Sequence, residues 1–158
     1  MKRDSNLRAV LVVCSLISLV AVGCATAQSA RVGSGDVVAD RQRLMKLNGA
    51  NWGDAQAKFK AGNIEGIAVN AETMALLSMH IPALFPQGSL TEKSNAKPEI
   101  WQKWADFASA AKNEQAWAER LRDAARAKNA AAVEGIMKEY GPKACGACHT
   151  PFRVPPKS

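Results

Sequence analysis

Two cysteines and a histidine near the C-terminus carry the chemistry of this sequence: Cys145-Gly146-Ala147-Cys148-His149, within KACGACHTPFR. The C-x-x-C-H spacing puts two thiols and an imidazole on about one helical turn, and it is an attachment signature for c-type haem. The thiols add across the two porphyrin vinyl groups, and the adjacent imidazole reaches the iron as proximal ligand. Two rival chemistries fit less well. A thioredoxin-like redox pair opens a helix after a strand, and no strand pattern precedes Cys145. A structural zinc site needs about four ligands. Cys145, Cys148 and His149 leave it one short, and His80 would have to close it. The reading is therefore one covalent haem c, held by Cys145 and Cys148, with His149 on the iron.

The other two cysteines, Cys14 and Cys24, lie in a different kind of segment. Lys2, Arg3 and Arg8 open the chain, an apolar run spans Ala9 to Cys24, and Ala25-Thr26-Ala27 follows as an A-x-A cleavage signal. This is the layout of a secretory signal peptide. The run is roughly 16 residues, short of the roughly 20 that a membrane span needs. The expectation is cleavage after Ala27. Residues 28–158 then form one periplasmic domain with no integral membrane span and no cysteines beyond the motif pair. Lipidation at Cys24 is the less favoured alternative, because Ala21 sits where lipoprotein boxes usually carry Leu.

The chain has 158 residues and a formal net charge of +7. One domain is the default at this length. The basic balance suggests acidic partners or surfaces, but it does not identify a nucleic-acid binder. Abundant alanine and few β-branched runs after the leader argue for an all-α chain.

Four helices are legible. The first spans about 36–59, with Gly53 as a weak point and Gly62 suited to cap its end. The second spans about 64–80, where Ile64, Ile67, Ala71, Met74 and Ser78 form one stripe. Residues 81–98 hold three prolines and a glycine and form a linker that wraps the bundle surface. The third helix starts at Pro98 and ends near Asn129. The fourth starts at Ala130, and Gly141-Pro142 kinks or interrupts it before the motif. Pro151 disfavours helical geometry at Thr150, so the helix should end or bend just past His149. Met74, Met79 and Met137 read as core. Trp52, Trp101, Trp104 and Trp117 read as core and haem-pocket lining. Such helices can bury one stripe each only by packing together, which gives a four-helix bundle.

The far C-terminal CGACHTPFR, this helical layout and RQRLMKLNG at 41–49 together resemble class II c-type cytochromes, the cytochrome c′ family. The resemblance covers essentially all of residues 28–158. It implies an antiparallel four-helix bundle with covalent haem on the C-terminal helix. In that family an Arg-Gln pair in the first helix precedes, by a few residues, the side chain that faces the iron. Carried over, Arg41-Gln42 place Met45 there, as in the low-spin branch where methionine sulfur binds the metal. Periodicity alone leaves Met45 as core filling. The resemblance also puts Arg153, one turn after His149, beside the haem. Arg41 then either meets a haem carboxylate or faces water.

The functional expectation is an exported one-electron carrier with a six-coordinate haem and acidic-patched redox partners. The alternative is a five-coordinate gas-binding (NO or CO) protein of the same family, in which Met45 is not a ligand. No enzymatic role is expected, since no distal histidine is paired with an arginine in a recognisable arrangement. Members of this family often dimerise through their first two helices, so a homodimer is within what the resemblance implies.

Overall fold

A computed structural model of the chain describes residues 34–155. The expected leader at 1–27, with its cleavage site and Cys24, lies outside the described residues.

Helix α1, Val37–Lys60, begins where Asp36 accepts hydrogen bonds from the Val38 and Ala39 amides (3.0 and 3.1 Å). That side chain meets two of the orphan donors of the first turn. Gly53 does not break the helix. Beyond its end Gly62 sits at φ +73°, a left-handed turn that glycine adopts without strain. Helix α2 runs Ile67–His80 and starts three residues later than the stripe suggests. The Asn63 side chain accepts from the Gly66 amide at 3.0 Å, holding residues 63–66 as a turn.

The third expected helix is two. Helix α3, Glu99–Gln102, and α4, Trp104–Arg126, meet at Lys103, whose backbone leaves helical geometry (φ −120°, ψ 49°). Competing anchors account for the break. The Trp101 indole donates to the Phe85 and Pro86 carbonyls (3.1 Å each), tying α3 to the linker, while Phe107 in the first turn of α4 is buried in the core. Helix α5, Ala130–Tyr140, is capped by Asn129, which accepts from the Ala132 amide at 3.1 Å. Gly141–Cys145 then forms a wide turn in which the Gly146 amide bonds the Gly141 carbonyl. This is the interruption expected at Gly141-Pro142, and such turns re-aim the side chains that follow. The last helix, α6, spans Gly146–Phe152. It continues through Thr150 and Pro151, contrary to expectation, and becomes extended at Arg153. Pro151 removes one amide donor from the last turn, and the helix ends one residue later at Phe152.

The helices pack as an antiparallel four-helix bundle, α4 lying against α2 and α5, and α1 against α2. The core has two parts. The first gathers Ala55, Ile67, Ala71, Met74, Leu121, Val133 and Tyr140, with Trp52 stacked on Tyr140 at 4.7 Å. Its alanines let the helix backbones approach closely. The second gathers Leu44, Ile81, Ile100, Phe107 and Phe152. Met74 is in the first core and Met137 packs on it, but Met79 is 57% exposed, because it falls off the buried stripe of α2. Trp104 is 42% exposed at the α3–α4 break, tilted against Phe107. Both corrections come from residues placed by helical phase rather than by hydrophobicity.

The linker does wrap the bundle. Its end is stitched to the segment after the motif: the Lys97 amide donates to the Phe152 carbonyl (2.9 Å), and the Val154 amide to the Asn95 carbonyl (2.8 Å). Among the described residues, no helix is long and apolar enough to cross a membrane.

Candidate haem site

Where the linker, α1, α4 and α6 meet they leave a half-open cleft of about 240 Å³. Its walls are apolar at Val38, Ile81, Phe85, Ile100, Phe107 and Phe152. The linker adds Ser94, Asn95 and Ala96, which no periodic signal in the sequence marked. Into this space come Met45 from α1 and Cys148 and His149 from α6. Arg41, Gln42 and Arg153, the other residues expected there, also line it. Cys145 is the exception: it rests against the first core cluster.

His149 is partly buried. Burial, then the charge of Arg153, holds its pKa below the ordinary histidine value. A lowered pKa means the neutral imidazole dominates at pH 7, with a ring nitrogen lone pair free for a metal. The thiols are pushed the other way, Cys145 to about 11 and Cys148 to about 12, by burial first and the Glu114 charge next. Reactive redox cysteines need depressed values. The thioredoxin-like reading therefore loses its chemical basis. Both cysteines are free. The zinc reading fails on geometry: among the described residues no group of three or more His, Cys, Asp or Glu could hold a metal ion, and His80 is exposed at the end of α2.

Arg41 does more structural work than its sequence position suggested. It is 5% exposed. Its Nε donates to the Leu84 carbonyl at 2.7 Å, Nη1 to Ser94 Oγ at 3.3 Å, and Nη2 to the Ser89 carbonyl at 2.8 Å and to Ser89 Oγ. The guanidinium also lies 4.3 Å over the Phe85 ring. Gln42 Nε2 donates to the Lys93 carbonyl at 3.0 Å. The Arg-Gln pair thus clamps the linker that forms one wall of the cleft. Arg153 is exposed at the rim without an ion pair among the described residues, and its amide donates to the His149 carbonyl at 3.0 Å.

Sequence reasoning missed one polar group behind the site. Glu114 falls in the buried stripe Phe107-Ala111-Glu114-Ala118-Leu121 of α4 and is itself 5% exposed. A carboxylate in register with that stripe was the signal.

The cleft suits a porphyrin by its donor set. A soft thioether and a neutral imidazole enter from different helices, a thiol lies beside the imidazole, the walls are apolar, and Lys46 and Arg153 can meet carboxylates. Comparison with known proteins agrees. Residues 36–153 match the family described as Cytochrome C'. A cytochrome c-556 from Agrobacterium tumefaciens is 32% identical over 120 residues, covering 74% of this chain and 96% of its own. A cytochrome c-554 from Cereibacter sphaeroides is 39% identical over 82 residues, and the match spans only about half the length of that relative (52%) and 50% of this chain. The crystal structure of cytochrome c′ from Thermochromatium tepidum superposes with a TM-score of 0.69 at 26% identity, covering 76% of this chain and 95% of that one. The cofactor is covalent haem c.

Proposed function

We propose that this chain, which belongs to the cytochrome c′ family, is an exported one-electron carrier whose haem is ligated by His149 and Met45. The observation that carries the reading is the placement of Met45 and His149 on two different helices lining one cleft. Among the described residues the other methionines have no such place: Met74 is fully buried in the first core, Met137 packs against that core, and Met79 faces solvent. When bound, the haem supplies the one-electron couple. The protein's part is to hold it and set its surroundings. Cys145 and Cys148 form the thioether links. Cys145 lies beside the first core, while Cys148 lines the cleft. His149 would hold the group through its neutral ring nitrogen, and Met45 through its sulfur. With both residues holding the group, the site would have no place for a substrate, and the protein would move little on electron transfer. A thioether also favours the reduced state.

Export rests on the leader-like composition of residues 2–27 and fits covalent haem attachment outside the cytoplasm. Lys46, Lys93, Lys97, Lys103 and Arg153 lie on the elements around the cleft and face solvent wholly or partly. This surface attracts acidic patches of a redox partner, within about a Debye length of 10 Å at 0.1 M salt. The test is stopped-flow oxidation of the reduced protein by ferricyanide, an anionic one-electron acceptor. One electron per haem is expected, at a rate that falls steeply as salt is raised. Slow exchange, or a rate indifferent to salt, would contradict the reading.

A further inference from the structure

Behind the cleft, where the two core clusters meet, lies a buried polar group that electron carriage as described does not use. Glu114 on α4 is 5% exposed and accepts from Asn48 Nδ2 of α1 at 2.5 Å. Asn48 Oδ1 and the Tyr140 hydroxyl are buried without a hydrogen-bond partner. Buried polar atoms are nearly always paired, so two orphans beside one carboxyl call for an explanation. We propose that Glu114 is a redox-linked proton site: it takes up one proton when the haem gains an electron and releases it on oxidation.

The orphans suit both forms of the carboxyl. Ionised, Glu114 accepts from Asn48 Nδ2. Protonated, it has an O–H to donate, and Asn48 Oδ1 is the unused acceptor on the same amide, reached by turning that amide about its last torsion. The groups facing Glu114 are Asn48 from α1, Ser78 from α2, Tyr140 from α5, Cys145 from the 141–145 turn and Cys148 from α6. Ser78 donates to the Met74 carbonyl at 2.8 Å, and its hydroxyl, like the Asn48 amide, favours the ionised carboxyl without outweighing burial. Tyr140 stays neutral, since burial drives its pKa far up. Once the cysteines are thioethers they do not titrate. No Lys, Arg or His among the described residues compensates Glu114. Burial accordingly raises its pKa above the ordinary glutamate value. An uncompensated carboxylate in a poorly solvated interior responds strongly to any charge added nearby. The Glu114 charge acts on Cys145 and Cys148, both points of haem attachment, so the two charges share one interior.

The step balances. One electron arrives from the donor protein and one proton from solvent; an O–H bond forms on a Glu114 carboxyl oxygen, and the net charge of the site is unchanged. Oxidation breaks that bond and returns the proton. Added electron density raises the Glu114 pKa further, so between its oxidised-state and reduced-state values the reduction potential must fall as pH rises.

This inference rests on the one-electron reading above but not on the Met45 ligand. The experiment is an optical redox titration of the holoprotein between about pH 5 and about pH 9, beside Glu114→Gln and Glu114→Asp. In the native protein the ferrous-to-ferric ratio at fixed donor potential should fall by up to tenfold per pH unit over part of the range, equivalent to about 59 mV. Glu114→Gln should be flat there, and Glu114→Asp should keep a slope at a shifted pH. A carboxylic-acid carbonyl band should appear on reduction in the infrared difference spectrum of the native protein and be absent from Glu114→Gln. A slope retained in Glu114→Gln, or a pH-independent native potential without that band, overturns the proposal. Spectra at each pH keep the two readings separate. Low-spin bands with a flat potential sink Glu114 alone, whereas high-spin bands sink the Met45 ligand and leave the slope to judge Glu114.

Discussion

Met45→Ala is expected to convert a low-spin, six-coordinate haem protein into a high-spin one that binds carbon monoxide. Met45 lines the cleft from α1, and its truncation removes a sulfur from the largely apolar wall. Among the described residues no other methionine lines the cleft, so none can replace it without rebuilding a helix. Loss of the thioether should also lower the reduction potential, because His/Met ligation raises it. The fold should survive, since Met45 is only partly buried and its removal costs no more than about 2–3 kcal/mol of packing. Absorption spectra of the ferric and ferrous variant check the result. A spectrum unchanged from the native protein would make Met45 wall packing and nothing more.

Arg41→Ala should cost the most stability among substitutions that leave the haem donors intact. Four hydrogen bonds disappear, and the Leu84 and Ser89 carbonyls lose a charged donor. Hydrogen bonds to charged groups contribute about 1.5–3 kcal/mol each, but they are not additive and the linker can relax toward water. A loss of about 3 kcal/mol is expected, seen as a lower urea midpoint with an unchanged slope. Arg41→Lys should recover little of it, because an ammonium cannot reproduce a fork that reaches three linker residues. An unchanged midpoint would mean that the linker is held by its stitching to residues 152–154 alone.

What the sequence made legible follows from how local each signal is. The C-x-x-C-H motif, the glycine at 62 and the interruption at Gly141-Pro142 are decided within a few residues, and the structure has them where they were expected. The helical stripes located most of the core. The failures came where tertiary partners decide. Lys103 breaks a good helical sequence because Trp101 is committed to the linker and Phe107 to the core. Met79 and Trp104 are apolar by type but fall on outer faces. Part of the cleft wall comes from residues 94–96, whose place depends on hydrogen bonds to residues 152–154 and on a clamp from Arg41, distant in sequence. No period in a single sequence encodes such pairings. Glu114 was overlooked for a different reason: its helix was expected, but the buried stripe that holds this charge was not traced.

The central claim is that Met45 and His149 occupy both faces of the iron. It is tested most directly by adding carbon monoxide to the reduced native protein while recording its absorption, after scanning the oxidised protein for the weak sulfur-to-iron band in the far red. The account predicts that this band is present, the reduced bands are sharp, and carbon monoxide changes nothing. A high-spin spectrum that shifts on adding the gas would contradict it, leaving the distal face open and the protein a gas binder.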